Sequence, residues 1–452
     1  MPVDLRISGG TVVTPAGELR ADVLVGGGKI LGLVDAGVLT DAPVIDATGK
    51  LVLPGMVDVH VHTREPGFTH KEDILTTTRQ AAAGGVTTIF GMPNLDPPTT
   101  TLETLEDVFA RYAATSIVDY NHNPAATLVD QVPKMADAGV RAFKVYMVVD
   151  TGRTYPHPAG TGMHDHGDLL RMMDTIAGTG KRFIVHPHDQ ALMDYIEGRY
   201  LAAGDNTPAA YAQAYAEREG VIWDTAIDVV LRLAEASGCP VHLAHMQTRR
   251  SVDAVRRAKA RGVDITCEVN HWMPFLSKCE HVERLGPYAL SYWVPDDARE
   301  AVWEGMRDGT IDIAASDHAP HTREEKEIGW TKMWSSHTGT PGIQYFYPLL
   351  LDAAQAGKIS LHRVVEMAAT APAAHFGLPH KGALLPGRDA DIVIADPGAP
   401  WTITDAGVLS KVGWTPYDGL TCGVSIDRTL VRGVEVYADG RVTGSPGHGQ
   451  KA

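Results

Sequence analysis

Hydrophobic and polar residues alternate over positions 56–62, where single apolar residues separate Asp58, His60 and His62. This period of two predicts a β-strand with two different faces. Residues two apart on a strand point to the same side, so His60 and His62 are expected to project together at its end. Two imidazoles at this spacing suit one metal ion, although a pair of hydrogen-bonded structural histidines would give the same pattern.

The regions near the two chain ends consist of short apolar runs separated by glycine-rich turns. Such runs predict β-structure without helices. The strands predicted before residue 55 are 5–7, 11–14, 22–25, 29–32 and 43–46. The strands predicted after residue 377 are 390–395, 421–424, 428–431 and 434–438.

Between these regions, apolar strands alternate with helical segments, as in repeated βα units. The predicted strands are 56–62, 87–92, 117–123, 142–147, 183–187, 241–246, 264–270 and 312–318. Predicted helices include 73–83, 128–138, 169–176, 223–236, 251–260 and 298–307. The pattern favours a TIM barrel, with long loops at 146–168 and 271–295. An open doubly wound sheet is the alternative, but no Gly-x-Gly-x-x-Gly follows an early strand.

We therefore predict an α/β fold in which a (β/α)8 TIM barrel carries a small β-sandwich built from both chain ends. Residues 1–54 and 378–443 would form the sandwich, because chain termini often lie close together. Residues 55–377 would form the barrel. The tail 444–452 is rich in glycine and is predicted to be flexible.

Composition narrows the possible functions. The chain has 452 residues, of which 44% are hydrophobic and 21% charged, as in ordinary globular proteins. With 40 basic and 55 acidic residues, the formal charge of −15 argues against nucleic acid or an anionic membrane as a partner. The four cysteines form no CxxC pair. Neither a signal peptide nor an apolar run of ~18 residues is recognisable, so a cytoplasmic protein is expected.

The active site of a TIM barrel lies at the carboxyl ends of its strands. The polar residues predicted there are His60, His62, Asn94, Lys144, His186, His188, His242, His245, Asp317, His318 and His321. A lysine in an apolar strand is costly to bury unpaired, although Lys144 can also extend to solvent. Any one histidine can be structural, and Asp317 can cap the next segment. Taken together, these groups are too many to satisfy one another, which favours a metal site.

These residues also lie in motifs that resemble the cyclic amidohydrolases of the amidohydrolase superfamily, which include dihydroorotase, allantoinase and hydantoinase. The motifs are DVHVHTREPG from Asp58 to Gly67, Met92-Pro-Asn94, Phe143-Lys144, Val185-His186, Ala244-His245 and SDHAPH from Ser316 to His321. Within that group, the REPG run and the DHAPH run are most similar to dihydroorotase. The resemblance extends over nearly the whole chain.

The resemblance implies two divalent metal ions, usually zinc, bridged by Lys144 carbamylated with CO2. One metal would bind His60, His62 and Asp317, and the other His186 and His245. Asp317 would also carry the proton to the leaving amide nitrogen. The implied reaction opens a cyclic amide or ureide, converting dihydroorotate to N-carbamoyl-aspartate in pyrimidine biosynthesis. A homo-oligomer, either a dimer or a tetramer, is also expected.

Arg64 follows His62 by two positions, and Asn94 and His321 lie at neighbouring strand ends. An arginine, an amide and an imidazole that converge there would bind a substrate carboxylate. In the alternative, Arg64 pairs with Glu65 or Asp73 and only shapes the loop.

Other assignments stay open on sequence alone. His188 can replace His186 as a ligand, whereas His242 is expected to be structural. Two segments depart from dihydroorotase, at residues 270–273 and 291–295, and Tyr292 and Trp293 in the second suggest a different pocket. An allantoinase or hydantoinase acting on an uncharged ring is therefore the alternative enzyme. A non-catalytic scaffold is less favoured because the ligand set is full.

Overall fold

The computed structural model describes residues 1–37, 41–148, 160–289, 296–398 and 400–452. The strands before residue 55 are β1 (Leu5–Ser8), β2 (Thr11–Thr14), β3 (Gly17–Arg20), β4 (Asp22–Gly26), β5 (Lys29–Val34), β6 (Val44–Asp46) and β7 (Leu51–Pro54). The predicted strands in this region are confirmed, and β3 and β7 are additional. The pattern did not reveal β3 because it is polar and mostly exposed, while β7 runs on into the next apolar strand.

The strands of the central region are β8 (Met56–Val61), β9 (Val86–Gly91), β10 (Asp119–His122), β11 (Ala142–Tyr146), β12 (Arg182–His186), β13 (Val241–Leu243), β14 (Ile265–Val269) and β15 (Ile313–Ala314). Each overlaps a predicted strand. They form two parallel sheets, ordered β10-β9-β8 and β11-β12-β13-β14-β15. Single parallel bridges join the sheet edges, between Val61 and His318 and between Ala125 and Lys144.

The last strands are β16 (Ile392–Asp396), β17 (Trp401–Thr402), β18 (Thr421–Cys422), β19 (Ser425–Val431), β20 (Val434–Ala438) and β21 (Arg441–Val442). Both ends of the chain share one seven-stranded sheet, in the order β21-β20-β19-β16-β7-β2-β3. A four-stranded sheet, β5-β4-β1-β6, shares an apolar core with it. Ile7 and Val23 of the smaller sheet meet Val52 and Ile394 of the larger one in that core.

The helices, in chain order, are α1 (Ile74–Ala83), α2 (Leu102–Thr115), α3 (Val132–Asp137), α4 (His166–Thr179), α5 (Gln190–Ala202), α6 (Pro208–Ala216), α7 (Val221–Ser237), α8 (Arg249–Ala260), α9 (Met273–Leu276), α10 (Cys279–Leu285), α11 (Asp296–Asp308), α12 (Arg323–Glu327), α13 (Gly329–Lys332), α14 (Ile343–Gln355), α15 (Leu361–Val365) and α16 (Ala371–His375). A π-helical turn, Glu366–Thr370, joins α15 to α16. The helices from α1 to α11 all fall between consecutive central strands, as βα repetition predicts.

An apolar cluster on one side of the central strands determines where their polar residues point. Its members come from alternate strand positions and include Val57, Val59, Phe90, Met92, Ala142, Ile184, Ile313 and Ala315. Side chains two apart on a strand share a face. Lys144 therefore follows Ala142, and His186 follows Ile184, on the side of this cluster and nearer the carboxyl ends of the strands.

The structure corrects the prediction that the tail 444–452 is flexible. The amide of Gly449 donates to Ser116 O, and the amide of Ala452 donates to Tyr120 O at 2.8 Å. The backbone amide of Tyr120 in turn donates to Gln450 O at 3.0 Å. Among the described residues, a single bridge, between Ala125 and Lys144, joins the end of β10 towards β11, so most of this strand edge is left for the tail to pair with. The tail satisfies the backbone groups of that edge, which composition alone does not reveal.

The predicted long loops are only partly described. Residues 271–289 contain α9 and α10 rather than a simple loop, while residues 149–159 and the segment with Tyr292 and Trp293 lie outside the described residues. In the described part of the chain, no helix has both the length and the apolar character needed to cross a membrane.

Candidate metal centre

Three acceptor atoms converge at the ends of β8 and β15. Nε2 of His60 lies 3.2 Å, and Nε2 of His62 3.3 Å, from Oδ1 of Asp317. Nδ1 of His60 lies 2.5 Å from Oε1 of Glu268, and Nδ1 of His62 lies 2.6 Å from Oδ1 of Asn94. Because these oxygens accept, each Nδ1 carries the hydrogen and each Nε2 presents a lone pair. A cation between these lone pairs and Asp317 would remove their repulsion.

A second pair of donors comes from β12 and the segment after β13. Nδ1 of His186 lies 2.7 Å from Nε2 of His245. His188 lies on the far side of His186, with its Nδ1 3.3 Å from Nε2 of His186. Nε2 of His188 accepts a hydrogen bond from Trp223 at 2.6 Å. The geometry therefore favours His186 over His188 as the ligand that pairs with His245.

Lys144 on β11 is fully buried, and its Nζ has no hydrogen-bond partner among the described residues. Burial lowers the pKa of Lys144 to about 8, although the carboxylates of Glu268 and Asp317 act in the opposite direction. An amine with a lowered pKa is more often neutral, and a neutral amine is the form that reacts with CO2. Lys144 therefore reaches its neutral, reactive form more easily than an exposed lysine does.

Two buried carboxylates, to which the sequence analysis assigned no role, accept hydrogen bonds from the candidate metal ligands or from the backbone beside them. Glu268 on β14 accepts from Nδ1 of His60 and, at 2.9 Å, from Nε2 of His242. Asp58 accepts from the amides of His60, at 3.2 Å, and Ser316, at 3.0 Å. Burial raises the pKa of Asp58 to about 7. His242 contacts Glu268 rather than the converging donors, which agrees with a structural role.

The backbone is left-handed at three non-glycine residues of this centre. The φ angles are 61° at Arg64, 37° at His245 and 50° at Asp317. Such conformations cost about 1–3 kcal/mol each and persist where the surroundings impose them. At Asp317 this conformation accompanies a carboxylate that lies 3.2 Å from His60 and 3.3 Å from His62, so Asp317 does not serve as a simple cap.

The donors have the charge states that a metal needs. Burial lowers the pKa of His62 and of His245 to about 4, so both rings are neutral near pH 7. Burial alone would raise the pKa of Asp317, but the neighbouring His60, His62 and His245 hold it well below its usual range. The donor atoms of His60, His62 and Asp317 all lie within 4.8 Å of one another. Neutral imidazoles with an ionised carboxylate fit a divalent cation.

Arg64 and His321 are brought together, whereas Asn94 is not part of that pair. Nη2 of Arg64 lies 3.1 Å from Nε2 of His321, and Nε donates to Pro320 O at 3.2 Å. Asn94 instead contacts His62. The alternative partners of Arg64 are engaged elsewhere, because Glu65 accepts from the amide of Ile74 and Asp73 pairs with Lys411.

Arg64 is 3% exposed and forms no ion pair with a carboxylate among the described residues. Burial lowers its pKa to about 10, and Asp317 is one of the more distant charges that oppose this shift. The sequence prediction missed Lys71, whose Nζ lies 3.3 Å from Nδ1 of His321 and 2.8 Å from Glu325. Glu325 thus pairs with Lys71, while the guanidinium of Arg64 has no carboxylate within ion-pair distance among the described residues.

Comparison with known proteins gives a consistent result. A sequence model of the amidohydrolase family matches residues 51–436. The dihydroorotase of Halobacterium salinarum is 36% identical over 393 residues, covering 85% of this chain and 86% of that protein. The L-hydantoinase of Paenarthrobacter aurescens is 30% identical over 465 residues, covering 99% and 97%. The solved L-hydantoinase from Arthrobacter aurescens has a TM-score of 0.94 and 29% identity, covering 99% of both chains.

The fold and the site therefore define an enzyme, a hydrolase that acts on C–N bonds in cyclic amides. The chain belongs to the amidohydrolase family. Its relatives include both dihydroorotase and hydantoinase. Membership of the family therefore defines the type of bond that is hydrolysed but not the identity of the cyclic substrate.

Proposed function

We propose that this enzyme hydrolyses dihydroorotate, or a closely related carboxylated ring, to the open-chain carbamoyl amino acid. It would do so with two divalent metal ions, zinc by preference, in the cytoplasm and as a homo-oligomer. The proposed architecture is a closed (β/α)8 barrel at 55–377 with a β-sandwich formed by 1–54 and 378–443. The two bridges between the sheet edges support closure, and the seven-stranded sheet supports the sandwich.

His60, His62 and Asp317 would hold one metal, and His186 and His245 the other. Lys144, carbamylated at Nζ, would offer both metals the two oxygens of one singly charged carbamate. When bound, the metals activate water and polarise the carbonyl of the substrate. The buried Nζ of Lys144, which otherwise lacks a hydrogen-bond partner among the described residues, supports this assignment.

Asp317 would act as the proton carrier. Its carboxylate is ionised near pH 7, and an ionised carboxylate beside the reacting atoms could accept the proton of the attacking water. The same oxygen can then return the proton to the ring nitrogen as the C–N bond breaks. The left-handed backbone at Asp317 and its short distances to His60 and His62 support this role, because they would hold the carboxylate in place during both transfers.

One observation carries the choice of substrate: the guanidinium of Arg64 is buried beside the metal centre without a carboxylate partner among the described residues. A buried charge without a partner is costly, and a substrate carboxylate would relieve that cost. A guanidinium can bind both carboxylate oxygens. His321, which contacts both Arg64 and Lys71, and Asn94, which contacts His62 through Oδ1, would complete the substrate-binding group around Arg64.

The second candidate is hydrolysis of an uncharged ring by a hydantoinase or allantoinase activity. The TM-score of 0.94 with an L-hydantoinase favours it, because the likeness covers 99% of both chains.

A direct assay distinguishes the two. The zinc-loaded enzyme would be presented with dihydroorotate, hydantoin and allantoin under the same conditions, with kcat/KM measured for each. The proposal expects the highest value for dihydroorotate. Turnover of hydantoin or allantoin without turnover of dihydroorotate would establish the second candidate instead.

A further inference from the structure

We infer that Glu268 is a positioning residue that couples the two halves of the metal centre, by orienting His60 in one half and holding the backbone at His245 in the other. This inference rests on the proposed metal ligands but not on the identity of the substrate. Glu268 lies at the fourth position of β14 and is fully buried.

The first contact sets the orientation of His60. Oε1 of Glu268 lies 2.5 Å from Nδ1 of His60, although 208 residues separate the two in the chain. An ionised carboxylate only accepts, so the hydrogen of the imidazole must lie on Nδ1. Nε2 then presents its lone pair towards Asp317, 3.2 Å away. A ring without this partner could turn, or could place its hydrogen on the nitrogen that must bind the metal.

The second contact acts on the other half. The amide of His245 donates to the same oxygen of Glu268 at 3.4 Å. His245 has a φ angle of 37°, a left-handed conformation that an L-residue adopts only at a cost. A bond from its amide to a buried carboxylate helps to hold that conformation, which in turn presents Nε2 to His186.

The remaining oxygen of Glu268 is also partnered. Nε2 of His242 donates to Oε2 at 2.9 Å, and Nδ1 of His242 lies 2.9 Å from the hydroxyl of Thr266. A buried carboxylate needs such partners, because an unpaired one costs far more than a neutral group. His242 thus completes the hydrogen bonding of Glu268 from the side away from the donors, and this gives His242 a role that the sequence left open.

The test is the zinc affinity of Glu268→Gln, measured by competition with a chromophoric chelator, together with the melting temperature of the metal-free protein. Thr266→Val is the matched control, because it removes a partner of His242 from the same buried network and leaves the contacts of Glu268 in place. Glu280→Gln controls for the loss of a charge at an exposed site. Glu268→Asp, measured in parallel, keeps the negative charge but shortens the side chain by one methylene, which moves the carboxylate away from His60. If Glu268→Gln does not fold, the zinc affinity of Glu268→Asp is compared with that of the controls instead.

Glu268→Gln is expected to weaken zinc binding about ten- to a hundredfold, the usual effect of losing a carboxylate partner of a ligand histidine. Glu268→Asp should weaken it in the same direction, while Thr266→Val and Glu280→Gln should bind zinc as the parent does. The inference is overturned if both Glu268 variants retain the parental affinity. It is also overturned if Thr266→Val, at the same loss of melting temperature as Glu268→Gln, loses as much zinc affinity as Glu268→Gln does. A parent enzyme that binds no zinc would overturn the proposed metal centre as well, whereas failure with dihydroorotate alone would leave this inference intact.

Discussion

Nδ1 of His186 and Nε2 of His245 lie 2.7 Å apart, although 59 residues separate them in the chain. If this pair binds one of two metals, His186→Asn should lower the zinc content from two ions per chain towards one. His188→Asn is the matched control. His188 accepts a hydrogen bond from Trp223 rather than facing His245, so this variant is expected to keep the parental zinc content. Elemental analysis of the purified proteins measures both. Loss of zinc in the His188 variant alone would exchange the two assignments.

Replacing Lys144 by alanine should abolish most of the activity, because the bridge between the metals would be lost. Short carboxylic acids such as acetate or propionate should partly restore the rate, since they supply the two oxygens that the carbamate would provide. The rate at increasing acid concentration measures this rescue. Intact mass of the active, metal-loaded parent provides a separate check, and an unmodified lysine there would contradict carbamylation.

Asp317→Asn keeps the shape of the side chain but removes the base. We expect kcat to fall by about 10²–10⁴, the usual contribution of general acid–base catalysis, with metal still bound. Asp308→Asn, at an exposed position that pairs with Arg256, serves as the control and should retain the parental rate. Steady-state kinetics and metal analysis on the same preparations test the role, which full activity of Asp317→Asn would exclude.

Arg64→Met should raise KM for dihydroorotate about tenfold to a hundredfold, because a charge-assisted hydrogen bond is worth about 1.5–3 kcal/mol. Metal content should not change, since Arg64 contacts none of the proposed ligands in the described structure. Arg171→Met is the matched control, as Arg171 pairs with Asp168 at the surface. Equal effects of Arg64→Met on dihydroorotate and on hydantoin would show that Arg64 only shapes the loop.

Acid should destabilise the fold through His271. Its two ring nitrogens contact Tyr417 at 2.7 Å and Thr340 at 2.9 Å, and burial lowers its pKa to about 4. The unfolded chain takes up the proton near pH 6.5 and the folded chain only near pH 4, so stability falls as pH decreases between these values. The full effect is about 3 kcal/mol at pH 4.

Melting temperatures of the parent and of His271→Gln across this pH range test the assignment. The variant should start less stable near pH 7, because a well-fitted buried ring is lost, but its melting temperature should fall less steeply towards pH 4. His70→Gln, at a mostly exposed site, should show the parental slope. A parental slope in the His271 variant would assign the acid sensitivity to other groups.

Part of the metal centre follows from local sequence rules. Alternation predicts that His60, in β8, and His62, just after it, project on the same side, and Lys144 stands out because a lysine in an apolar strand needs a special environment. Glu268 carries the same signal, since it is an acid within the buried strand Ile265–Val269, and the same rule applied to it would have revealed it. Lys71 had no such signal, because it follows a loop and resembles an ordinary surface lysine.

The order of strands and helices, and the strand ends where ligand-type residues gather, follow from patterns with a period of a few residues and are therefore readable along the chain. Which of these residues meet depends on how distant strands pack. His186 rather than His188 faces His245, Asn94 contacts His62, and Glu268 reaches His60 across 208 residues. Such contacts depend on the order and register of strands that are remote in the chain and on left-handed backbone at Arg64, His245 and Asp317, and no local pattern encodes either.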